Sequence, residues 1–77
     1  MPSHNLFESA KHGTLGNKIF DLLRDRILNE EYHTGEKLNE LTLVKELNIS
    51  RTPIREALKQ LELEGLVESI PNKGVYV

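Results

Sequence analysis

Arg51 and Arg55 stand one helical turn apart in the stretch "NISRTPIREALKQLELEGL", beside the short hydroxyls of Ser50 and Thr52. An arginine fork matches two acceptors at once. It hydrogen-bonds O6 and N7 of a guanine together, or it clamps a phosphate. Hydroxyls near a helix start suit phosphate oxygens, and the dipole and free N–H groups of that end already favour an anion. Further on, "PNKG" at 71–74 puts Lys73 and Gly74 in a turn, a cation next to backbone that a ligand can approach closely. The bland alternatives are a solvated helix face and an ordinary turn.

Other chemistries find no support in the pattern. His4, His12 and His33 have no metal-ligand spacing, and the chain has no cysteine, so no disulfide or cysteine metal site exists. No nucleophile–base constellation or glycine-rich phosphate loop is visible. The expectation is a protein that is not an enzyme and carries no cofactor or metal in this domain. No apolar run reaches the length of a membrane span, and "MPSHNLFESAKHGTLG" lacks the marks of a secretion signal. A cytoplasmic location follows as the default. With 77 residues, 38% hydrophobic and 29% charged, the chain has room for one small domain. Its formal net charge of −2 means that nucleic-acid contact must be concentrated in a local patch.

The elements that position these residues follow from period and breakers. Residues 1–14 read as a flexible arm. Leu15 to Glu31 reads as a helix, with Ile19, Leu23 and Ile27 every fourth residue and Phe20 widening the stripe. Leu22 and Leu28 fall off that stripe, which suggests a second contact surface. Gly35 marks a turn. A short helix follows, with Asn39 as N-cap, Glu40 at the positive end of the dipole, and Leu43, Val44 and Leu47 on the buried side. Asn48 suits a left-handed turn.

The third helix starts between Ser50 and Pro53. Ser50 as cap puts Pro53 at the third helical position; Thr52 as cap puts it first. Ile54, Ala57, Leu58 and Leu61 form one apolar face. Thr52, Arg55, Glu56 and Lys59 lie opposite, with Arg51 at the free end. Gly65 stops the helix. "LVESIPNKGVYV" reads as a hairpin of Leu66–Ile70 and Val75–Val77. The fold class is mainly α with a small β-hairpin, a winged helix-turn-helix over residues 15–77.

"GEKLNELTLVKELNISRTPIREALKQLELEGLVESIPNKGVYV" resembles the winged-helix DNA-binding domain of GntR-family bacterial transcription regulators. The most specific parts are "SRTPIREAL" at 50–58, "EGL" at 64–66 and "PNKGVYV" at 71–77. "LNE", "TPIREAL" and the wing look like the FadR-type branch rather than the HutC-like one. The resemblance implies that Arg51 and Arg55 carry major-groove and adjacent phosphate contacts, and that Ser50, Thr52 and Pro53 help place the helix. It implies that Lys73 and Gly74 approach the minor groove and that Asn39 caps near a phosphate. Two departures stand out. Leu41 replaces a phosphate-contacting arginine of some members, so either Leu41 packs on something or a backbone contact is lost. His33–Thr34 replaces a small-residue–proline pair, which is expected to loosen that loop.

Whole members of the family carry a larger C-terminal domain that binds a small-molecule effector and supports dimerisation, so this chain reads as the DNA-binding portion. The implied function is sequence-specific DNA binding by a metabolite-responsive regulator, a repressor acting as a homodimer on a palindromic double-stranded operator. The competing expectation is a winged-helix docking module without DNA contact, suggested by the acidic balance and by Leu22 and Leu28.

Overall fold

The computed structural model of the chain describes residues 14–77; the expected arm at 1–13 lies outside them. The element order is α1 (Leu15–Leu28), β1 (Lys37–Leu38), α2 (Glu40–Leu47), α3 (Arg51–Leu63), β2 (Glu68–Ile70) and β3 (Gly74–Tyr76).

Thr14 belongs to α1 rather than to an arm, because its Oγ1 caps the helix by accepting from the Asn17 N–H at 3.0 Å. Ile19 and Leu23 are buried, as the four-residue spacing requires. The helix ends at Leu28, short of the expected Glu31. There the Glu31 N–H donates to the Arg26 carbonyl at 2.8 Å and the Glu30 N–H to the Ile27 carbonyl at 3.0 Å, with Glu30 at φ 60°. This is a Schellman ending with a glutamate at the left-handed position.

α2 starts where expected. Asn39 Oδ1 accepts from the Thr42 N–H at 3.0 Å, and Asn48 closes the helix in the left-handed region. Of the two possible starts for α3, the chain takes Ser50 as N-cap, so Pro53 is the third helical residue. Ile54, Ala57, Leu58 and Leu61 are all buried. Gly65, at φ 79°, ends α3 with the same bond pattern as α1: Leu66 N–H to the Leu61 carbonyl and Gly65 N–H to the Glu62 carbonyl.

The hairpin is narrower than expected and gains a third strand. β3 runs antiparallel to β2, pairing Ser69 with Val75, and on its other edge to β1, pairing Leu38 with Val75. Sheet-like pairing continues past β1, as the Gly35 N–H donates to the Val77 carbonyl at 2.7 Å and the Val77 N–H to the Glu36 carbonyl at 2.8 Å. The loop at His33–Thr34, expected to be loose, is tied: the His33 N–H donates to Glu36 Oε1 at 2.8 Å and the Glu36 N–H to the His33 carbonyl at 2.9 Å.

The core lies between the helices and the sheet. Leu38 and Val67 from the sheet region join Ile19, Leu23, Leu43, Ile54, Ala57, Leu58 and Leu61. α1 packs chiefly on α3. Gly16 permits a close approach there, since a Cβ on it would lie 2.7 Å from Glu56 Oε1 and 3.6 Å from the Pro53 carbonyl. Glu56 therefore sits over the start of α1, not on the open face of α3 with Arg55.

Candidate nucleic-acid interface

The start of α3 differs from the other helix starts in how its first turn is satisfied. Thr14 and Asn39 cap α1 and α2 through their side chains, but Ser50 makes no side-chain cap bond. A serine cap ordinarily takes the N–H of the second or third helical residue. Here the third is Pro53, which has no N–H. Thr52, the second helical residue, is exposed beside it.

Arg51 and Arg55 project from this end, with side chains 54% and 61% exposed. Both are held by one carboxylate. Arg51 Nε–H donates to Glu40 Oε1 at 2.6 Å, and Arg55 Nε–H donates to Glu40 Oε2 at 3.1 Å. Both bonds use the inner nitrogen of the guanidinium, so the outer Nη edges face away from the shared anchor. Burial by itself would push the Glu40 carboxyl up. The hydrogen bonds from Arg51 and Arg55 outweigh it and hold the group below the usual carboxylate range.

Glu40 is the residue that sequence reasoning missed. It was readable as a dipole partner for α2, and it does open that helix. Its arginine partners lie 11 and 15 positions away, beyond any helical period. Only the helix-turn-helix packing brings them together.

The wing reaches the same region. The Lys73 N–H donates to the Ile70 carbonyl at 3.0 Å, with Pro71 second and Asn72, at φ 63°, third in the turn. That is the residue order of a type II turn. Tyr76 Oη donates to the Lys73 carbonyl at 3.3 Å and braces the tip. Gly74 has φ 130°, and a Cβ there would meet Lys37 Cε at 2.7 Å. Lys37, a second residue without a sequence signal, thus lays its stem along the wing.

Asn39, Arg51 and Gly74 line one shallow groove of about 310 Å³, together with Lys37, Glu40 and Leu41. Arg55 joins them through Glu40, while Ser50, Thr52 and Pro53 form the adjoining helix start and Lys73 the wing tip. Asn39 Oδ1 is engaged as the α2 cap, and Asn39 itself is exposed, with an amide nitrogen that can donate. Leu41 is 57% exposed, so it packs on nothing substantial among the described residues. No helix among the described residues is long and apolar enough to cross a membrane.

Comparison with known proteins bears on the fold and the family. The model for bacterial regulatory proteins of the gntR family matches residues 15–77. The chain is 42% identical over 57 residues to the Uxu operon transcriptional regulator of Escherichia coli K12, covering 73% of this chain and 22% of that one. It is 37% identical over 67 residues to the mannosyl-D-glycerate transport/metabolism system repressor MngR of the same organism, covering 86% and 28%. The crystal structure of a GntR transcriptional regulator from Rhodococcus sp. RHA1 superposes with a TM-score of 0.79 at 32% identity, over 80% of this chain and 30% of that one. The chain thus spans less than a third of the length of each of these three proteins. The winged three-helix fold and the match over nearly all described residues agree: the chain belongs to the gntR family of bacterial regulatory proteins.

Proposed function

We propose that this chain binds double-stranded DNA in a sequence-specific manner through the start of α3, as the DNA-reading part of a cytoplasmic transcription regulator. The observation that carries this reading is the pair of exposed guanidinium groups fixed on Glu40 beside an uncapped helix end. With α3 in a major groove, the Nη edges of Arg51 and Arg55 meet base or phosphate acceptors. Ser50 and Thr52 face the flanking phosphate, Pro53 sets the helix start, and the Asn39 amide meets the backbone near α2. Lys73 and Gly74 bring the wing tip to the neighbouring minor groove.

One copy offers a small footprint and few cations, so two copies on a palindromic operator are needed for tight binding. The remainder of a regulator of this family would supply dimerisation and a small-molecule effector site. The names of the relatives, an operon regulator and a repressor, support repression as the mode of action.

Arg55→Ala tests the reading. Affinity for a duplex selected from a randomised library by the wild-type chain is expected to fall by about 1–3 kcal/mol, as measured by fluorescence anisotropy at matched salt. Unchanged affinity in a folded variant removes Arg55 from the interface. Exposed Leu22 and Leu28 favour the docking alternative, and the absence of salt-sensitive DNA binding, even in an enforced dimer, would support it instead.

A further inference from the structure

We propose that Glu40 is a positioning and specificity-determining residue of the interface, an inference that rests on the DNA-binding reading above. Its single carboxylate fixes the directions of Arg51 and Arg55 and penalises phosphate contacts made without base contacts.

The geometry supplies the first half. Glu40 is the first residue of α2, directly after a cap closed by the Asn39–Thr42 bond, so its backbone is held by a helix turn rather than a loop. Its side chain is 25% exposed, far less than either arginine. Each carboxylate oxygen takes one arginine, and each arginine is taken by Nε–H. An arginine reads guanine either side-on, through Nε and one Nη, or end-on, through both Nη groups. Occupying Nε removes the side-on mode and leaves the end-on fork. It also removes rotamer freedom that two long exposed side chains would otherwise lose on binding. One anchor for two forks sets their spacing as well as their directions.

Charge supplies the second half. Two guanidinium groups and one carboxylate leave the cluster with one net positive charge. Non-specific affinity comes almost wholly from cation–phosphate contacts. A carboxylate seated between the two readers weakens that contribution for every sequence alike. Base-edge hydrogen bonds from the Nη groups are recovered only on a matching site. The chain's overall acidity has the same consequence on a larger scale.

The test uses the full 77-residue chain, the library-selected duplex and a shuffled duplex of the same composition, with anisotropy over a salt series. Glu40→Gln is expected to lower the selected-to-shuffled affinity ratio roughly tenfold or more, the size of one lost base-pair readout. Shuffled-duplex affinity should hold or rise, and the salt slope should steepen by about one. Glu40→Asp keeps the charge but shortens the reach. It is expected to lose selectivity while keeping the wild-type salt slope. The ratio cancels the folded fraction, which circular dichroism fixes independently, so loss of stability alone does not imitate the result. A Glu40→Gln ratio within about twofold of wild type overturns the proposal. Full selectivity in Glu40→Asp overturns the positioning half. A wild-type chain that fails to distinguish the two duplexes, even as an enforced dimer, overturns the DNA-reading function itself, which is a separate failure.

Discussion

Two arginine–carboxylate arrays stand at opposite ends of α2, and they use the guanidinium in opposite ways. At the C-terminal end, Arg26 donates by Nη1 to Tyr32 Oη at 3.0 Å and by Nη2 to Glu46 Oε2 at 2.7 Å. Its side chain is 20% exposed, and its bonds to Glu46 and then to Tyr32 raise its basicity further. One arginine there has two partners, and both outer nitrogens are engaged. At the N-terminal end, two arginines share one partner, only Nε is engaged among the described residues, and both side chains are more than half exposed. The first array joins α1 to α2 and the loop behind α1. The second joins α2 to α3 through Nε alone, and its two arginine side chains stay exposed. An arginine's role is thus written in which nitrogens are occupied, more than in whether it has a salt bridge.

If the arrays differ in this way, only damage to their common support abolishes both. Leu61 on α3 is completely buried at the centre of the core. Leu61→Ala is expected to cost about 2–5 kcal/mol, a large share of what a domain of this size has. Chemical denaturation followed by circular dichroism measures it. DNA binding should fall in proportion to the folded fraction, and a full-strength binder at low folded fraction would refute the shared-support view.

The next smaller effect separates the arrays. Arg26→Ala removes two charge-assisted hydrogen bonds at the brace. Glu46 is 45% exposed, so solvent screens much of the loss, and a cost of about 1 kcal/mol is expected. That corresponds to a drop of roughly 4–8 °C in melting temperature. Affinity of the folded molecules for the selected duplex should stay at the wild-type value. Arg55→Ala should show the reverse, with binding weakened and melting little changed. Crossed results, or both variants moving both readouts, would erase the distinction.

The same contrast explains what was legible beforehand. The helix-turn-helix and the wing were readable because their signals are local: an asparagine cap at Asn39, a left-handed Asn48, an apolar face on α3 and a turn at "PNKG". Arg51 and Arg55 were readable as exposed cations one turn apart. Glu40 as their anchor was not, since it requires two helices to have packed. β1 was not readable either. It is two residues long, and its pairing with β3 lies between segments far apart in the chain. The two Schellman endings make the point within one motif. Gly65 announced the end of α3, whereas Glu30, in the same left-handed role, hid the end of α1 inside an apparently continuing helix.

Glu30 also provides the mildest way to sharpen the comparison. A non-glycine residue at φ 60° is strained, and glycine relieves that strain while adding freedom to the unfolded chain. The first effect should exceed the second, so Glu30→Gly is expected to stabilise by about 0.5–1 kcal/mol, seen as a rise of a few degrees in melting temperature. The Glu31 N–H bonds the Arg26 carbonyl, so this turn belongs to the brace end of α2. If brace and clamp are independent, affinity and selectivity for DNA stay fixed while stability rises. Should selectivity change with the turn, strain at Glu30 must reach Glu40 through α2, and the two arrays would be ends of one mechanical element rather than separate devices.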